Sequence, residues 1–195
     1  MTNITWGGRV PHLKAAGFTL IELMLTVGMM TVVGSMAAFQ IGESTQGLKT
    51  NGAMRVVMAQ MNTARELAIT QRRYMQVNFT GTGTIDVVRV DVPNGTTVIA
   101  SVPFEGAVTY GAVADIPDTP DQFGIAGVSG VAFGTATSIR FSSDGTLIDQ
   151  TGSPINGTVF LNRGGLKSSA RAVTVLGATG RVRGYRFDGA HWVVG

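Results

Sequence analysis

The hydrophobic pattern of this 195-residue chain changes character twice. From Phe18 to Ile41 apolar and small residues run almost unbroken, with Glu22 the one charged side chain among them. From Leu23 to Gly42 no residue is charged, a stretch of 20 residues. An α-helix needs about that many to cross ~30 Å of hydrocarbon, and a lone apolar span satisfies its own backbone only as a helix. From about Ala53 to Arg72 the pattern becomes one-sided. Met54, Val57, Met61, Ala64 and Ala68 recur at spacings of three and four, with Arg55, Asn62, Glu66 and Thr70 away from that stripe. No proline falls between Pro11 and Pro93, which leaves the tract free for continuous helix. The pattern predicts an all-round apolar segment over 18–42 and an amphipathic continuation over 43–73, whose stripe packs on a globular domain. Gly28, Gly34, Gly42, Gly47 and Gly52 each cost ~1 kcal/mol against alanine in water, but in a membrane such residues let helices approach closely. The stretch Gly42–Gly52 is expected to be the weakest part of the stem.

After Arg73 the period becomes two. Tyr74–Phe79 and Ile85–Val90 read as strands joined at Gly81-Thr82-Gly83, and Thr97–Val102 follows the hairpin signal Asn94-Gly95. Phe104–Tyr110 reads as another short strand. Gly111–Ser138 holds small residues, prolines and aspartates with few large apolar side chains, which predicts a long surface excursion. Ser138–Phe141, Thr158–Leu161, Ala172–Leu176, Arg181–Phe187 and His191–Val194 are candidate strands, punctuated by Asp144-Gly145, Asn156-Gly157 and Asp188-Gly189. The fold class predicted is α+β: a long N-terminal helix packed on an antiparallel sheet formed within 74–195.

Glu22 is the anomaly in the apolar run. A carboxylate in a spanning helix is disfavoured by ~2.5–3.5 kcal/mol at mid-helix, and such residues usually have a partner. The run Lys14-Ala15-Ala16-Gly17-Phe18-Thr19-Leu20-Ile21-Glu22 resembles the cleavage signal of type IV prepilins and type II secretion pseudopilins. The resemblance implies a leader over 1–17, cleavage by a prepilin peptidase between Gly17 and Phe18, N-methylation of Phe18, and Glu22 as the fifth mature residue. Cleavage would leave a cationic amine at Phe18, and Glu22 one helical turn on could pair with that amine of a neighbouring subunit, or less well of its own chain; pairing between subunits would fix axial register. The other reading of Glu22 is a carboxylate that snorkels at a helix end.

A second resemblance lies in the C-terminal third. Ile139-Arg140-Phe141, Asp144-Gly145-Thr146, Gly157–Leu161, Ala172–Val175 and Thr179–Arg183 are similar in order to the C-terminal domain of the GspH/FimT branch of minor pilins and pseudopilins. In FimT-like members a Gly-Arg-x-Arg motif is associated with DNA binding in natural transformation, and Gly180-Arg181-Val182-Arg183 matches it.

Charge sharpens this picture. The net formal charge is only +3, but it is segregated. Residues 81–160 hold Arg89 and Arg140 against eight acids, whereas 161–195 hold Arg163, Lys167, Arg171, Arg181, Arg183 and Arg186 against Asp188. Such a basic region attracts phosphate through counterion release, and Arg181, Arg183, Arg186, Lys167 and Arg171 are the candidate DNA contacts. Arg181 and Arg183 alternate along a strand, so both face one way and Val182 the other. The alternative is that these arginines pair with acids of the middle region or with another subunit.

The chain has no cysteine, which removes disulfides, thiolate metal sites and thiol catalysis. His12 and His191 are its two histidines, and no catalytic or phosphate-loop motif is present. Asp115, Asp118 and Asp121 lack the glycine and terminal glutamate of a calcium loop and read as a solvated acidic loop. No catalytic residue, metal or cofactor is expected. Arg9 and Lys14, without an acid before Gly17, predict a cytoplasmic N-terminus and a domain across the bacterial inner membrane, then in a pilus or pseudopilus. The expected function is structural: a minor subunit of a type IV pilus or type II secretion pseudopilus, with other pilins and the membrane as partners. The alternatives are a FimT-like receptor for double-stranded DNA and a membrane-anchored binding domain outside any filament.

Overall fold

The computed structural model describes the backbone of 18–124 and 130–195, and the side chains of those residues other than 37–46. The expected leader, 1–17, lies outside the described residues. Among the described residues one long helix, α1 (Leu20–Gln71), is followed by eleven strands. The chain divides into two compact units, Met1–Gly42 and Glu43–Gly195.

In the second unit the stripe read from the sequence is the buried one. Met54, Val57, Met61, Ala64 and Ala68 are all at most 4% exposed. Two antiparallel sheets supply the other side of this core. The first runs in the order β3 (Thr96–Pro103), β2 (Thr84–Val90), β1 (Met75–Thr80), β6 (Ile139–Phe141), β7 (Leu147–Ile148). The second runs β11 (Trp192–Val194), β10 (Arg181–Phe187), β9 (Arg171–Leu176), β8 (Gly157–Asn162), β4 (Thr109–Tyr110), with β5 (Val131–Ala132) also paired to β8. Met75, Val77, Ile85, Val87, Ile139, Phe141 and Leu147 from the first sheet and Val159, Leu161, Val173 and Val175 from the second close on the helix stripe. A helix with one apolar stripe must bury it against such a layer.

The structure departs from the sequence-based expectation in the middle of the chain. Gly111–Ser138 is no solvated excursion: β5 lies within it, Phe133 and Thr119 are buried, and the Asp121 side chain is only 14% exposed. The reason lies in the second sheet. All six residues of β8 and the first five of β9 are buried. One face meets α1, and the other presents Phe160, Ala172 and Tyr185, which need a cover of their own. Part of the loop provides it. Trp192 sits 6.1 Å from the Phe160 ring and donates its indole N–H to the Pro117 carbonyl at 2.8 Å. Two smaller differences are that Phe104–Tyr110 contributes only Thr109–Tyr110 as strand, and that β7 is an additional two-residue strand beyond the Asp144-Gly145 turn. Neither is long enough to show a period.

Candidate functional site

The first candidate site is the start of α1. Thr19 caps it: its hydroxyl accepts from the Glu22 N–H at 3.3 Å and its carbonyl from the Leu23 N–H at 3.1 Å. Thr19-Leu20-Ile21-Glu22 has the Thr-x-x-Glu spacing of a capping box, a helix-start signal visible in the sequence alone. Glu22 therefore lies in the first turn, where the partial positive charge of the helix end favours an anion. Its carboxylate has no hydrogen bond or ion pair among the described residues. Phe18, whose amine is the counterpart expected from the sequence, is 81% exposed, whereas Gly17 lies outside the described residues.

From Phe18 to Met36 every side chain is exposed. The few hydroxyls are satisfied along the helix itself. Thr26 donates to the Leu23 carbonyl at 2.9 Å, Thr31 to Gly28 at 2.8 Å, and Ser35 to Val32 at 2.8 Å. A Cβ added at Gly28 would meet nothing within 4 Å, so this face is open to close approach by another helix. Among the described residues no helix is long and apolar enough to cross a membrane. The described side chains of this segment stop at Met36, so 37–42 of the expected span lie beyond them.

The second candidate site is the basic set, which the fold does not gather on one face. Arg181 and Arg183 are exposed on β10, while Val182 between them packs into the core. Gly180 makes their placement possible. It closes the preceding 3-10 turn (Gly177–Thr179) in the left-handed region at φ 63°, and a Cβ there would lie 2.2 Å from the Gly145 carbonyl. Arg183 is partly committed: its guanidinium lies 3.5 Å from Asp121. The same carboxylate accepts from the Thr174 hydroxyl at 2.6 Å and the Tyr185 hydroxyl at 3.0 Å. The expected solvated acid is thus a pin that holds the loop to the second sheet. Arg181 has no side-chain partner among the described residues.

Arg186, on the opposite face of β10 by strand alternation, stands across from Arg171 in the β9–β10 register. Arg171 is the clearest departure from the sequence-based expectation. It is 5% exposed, and its donors are spent inside the domain. Nε donates to the Asn51 side-chain oxygen at 2.6 Å, Nη1 to the Ala170 and Ser168 carbonyls at 2.8 and 3.0 Å, and Nη2 to the Gly47 carbonyl at 3.3 Å. Burial, and then the nearby Arg186 charge, lowers its pKa from the ordinary arginine value. Arg171 ties β9 to α1 and offers nothing to an outside phosphate. A spacing argument had no means of finding this, because two of its partners, the Gly47 carbonyl and the Asn51 side chain, are 124 and 120 residues away. Lys167 stands apart again, exposed, 3.8 Å from Asp115.

No protein-family model matches the sequence, and no curated protein does. Two solved structures resemble the fold. Both are crystal forms of the type IV minor pilin FimU of Pseudomonas aeruginosa, each 14% identical. One aligns at a TM-score of 0.47 over 71% of this chain and 89% of FimU, the other at 0.46 over 69% and 90%. Likeness at that level does not fix function. The α+β assignment stands on the helix, the two sheets and their registers.

Proposed function

We propose that this chain is a structural, non-catalytic minor pilin or pseudopilin of a type IV pilus or type II secretion system. It is cut by a prepilin peptidase between Gly17 and Phe18 and N-methylated on Phe18. Before assembly, residues 18–42 hold it in the bacterial inner membrane, with the 74–195 domain on the periplasmic side. Assembly with other pilins or pseudopilins then covers the apolar helix, and Glu22 pairs with the Phe18 amine of a neighbour.

The observation that carries this reading is the contrast within the first turns of α1: apolar side chains exposed throughout, and one carboxylate without a partner among the described residues. A helix-start acid needs no further role in water. Beside an exposed apolar face it becomes the one polar group that packing must satisfy. Mass spectrometry of the mature chain is expected to show N-methylated Phe18 at its start. Glu22→Val should insert normally and lose at least about tenfold in filament incorporation. A mature chain beginning upstream of Phe18, or normal incorporation of Glu22→Val, overturns the proposal.

Arg181 favours a second reading, contact with double-stranded DNA. It is exposed, unpaired among the described residues and set on a rigid strand behind Gly180. Arg181→Gln should weaken binding of a DNA duplex and reduce the slope of log K against log salt by about one. Arg183→Gln should do less, because Asp121 already engages it. Binding untouched by Arg181→Gln or by salt excludes this contact.

A further inference from the structure

Beyond α1's last residue lies a basic cleft that neither reading above uses. The helix ends in a Schellman turn: the Arg73 N–H reaches the Ala68 carbonyl at 3.2 Å, and Arg72 takes the left-handed position at φ 51°. Glycine is the usual occupant of that position, because a Cβ there is strained. Strained positions of this kind cluster at ligand sites. Next to it lies a cleft of about 200 Å³ lined by Arg72, Arg73, Tyr74, Val90, Val92 and Ser143. That is room for a tetrahedral oxyanion with part of its hydration, at about 30 Å³ per water.

The charges around the cleft leave its two arginines available. Arg140 stacks its guanidinium 4.9 Å above the Tyr74 ring. Asp91, the nearby acid, has both oxygens engaged, one by Arg89 at 2.7 Å and the other by Thr97 at 2.6 Å. Those bonds, Thr97 first and Arg89 next, hold its pKa below the ordinary value, and the Arg73 charge adds to them. Asp144, beside Ser143, accepts from the Thr146 N–H and the Ser142 hydroxyl within its own turn. Neither Arg72 nor Arg73 makes an ion pair or side-chain hydrogen bond among the described residues. A lining that holds two arginines and a serine beside Val90 and Val92 suits a multivalent oxyanion better than a lone carboxylate.

We infer that the cleft formed by Arg72, Arg73, Tyr74 and Ser143 is a binding site for a phosphate group. The site stands whether or not the chain enters a filament and does not involve Arg181. Its test is equilibrium dialysis of the full chain in neutral detergent micelles against radiolabelled inorganic phosphate at fixed ionic strength. One saturable site is expected. Arg72→Gly and Arg73→Gln should each weaken it by about tenfold, and Arg72→Lys, which keeps the charge but not the planar fork, should lose less than Arg72→Gly. Arg72→Gly also relieves the left-handed strain, so its melting midpoint should equal or exceed the parent's, which separates loss of the site from loss of the fold. Displacement of the label by a short DNA duplex, retained in Arg181→Gln, would assign the phosphate to nucleic acid. Failure of the duplex to displace it would assign the site to free phosphate or a phosphomonoester. Absence of saturable binding, binding unchanged by Arg72→Gly and Arg73→Gln, or equal displacement by acetate overturns the inference.

Discussion

The two parts of α1 carry similar side chains and meet different fates. Over Phe18–Met36 leucines, valines and methionines stand exposed on every side of the helix. Over Ala53–Ala68 a narrower stripe, with Val57 its one branched aliphatic residue, is withdrawn from solvent to at most 4% exposure. Apolarity alone therefore does not decide burial. A one-sided stripe can be satisfied by a single layer of sheet, whereas a helix that is apolar all round can be covered only by lipid or by several other helices. The second part belongs to the folding of this chain, and the first to whatever surrounds it.

The sharpest way to break that comparison is a pair of methionine truncations. Met61→Ala, at a fully buried site, should destabilise the domain by about 2–5 kcal/mol in a denaturant titration. Met29→Ala, 61% exposed, should leave the same transition unmoved. Equal effects would mean that the first part of α1 is packed against its own domain. A slightly smaller loss, about 2–3 kcal/mol, is expected for Arg171→Ala, which strips partners from the Gly47 and Ala170 carbonyls and from Asn51. A near-neutral result would show those carbonyls finding water, and α1 held by its stripe alone.

Asp121→Ala should cost about 1–2 kcal/mol by orphaning the Thr174 and Tyr185 hydroxyls. It should also speed amide exchange in 111–124 more than in α1, because it unpins the cover of the second sheet rather than its helix face. The smallest effect is pH-linked. Tyr110 donates to the Thr84 carbonyl at 2.7 Å, and burial first, then the Asp86 charge, raises its pKa from the ordinary 10.0. A raised folded-state pKa means that the contribution is complete below pH 10 and is lost as pH rises beyond it. Tyr110→Phe should cost about 1 kcal/mol at neutral pH and flatten the decline in stability above pH 10. An unchanged alkaline limb would place the titration elsewhere.

Sequence periodicity carried the helix stripe and most of the strand positions, because both depend on local spacing: every three or four residues on a helix, every two on a strand. It carried the Glu22 anomaly as well, since one acid in an apolar run is visible without coordinates. It failed wherever a residue's role depends on a partner distant in the chain. The arginines of the last 35 residues look alike on paper, yet Arg171 is a buried tie to Gly47, Arg183 leans on Asp121, and Arg181 has no side-chain partner among the described residues. The loop containing Asp121 reads as solvated because its composition is polar, but the second sheet has an uncovered apolar face, and closing it outweighs the polarity of the segment that does so. Arg72 passes as an ordinary helix-end cation until its left-handed backbone sets it apart. The sequence by itself determined which elements form and which face of the second helical part is apolar. Only the tertiary structure decided which charges remain open to a partner, because burial and hydrogen-bond satisfaction belong to contacts between segments rather than to any one of them.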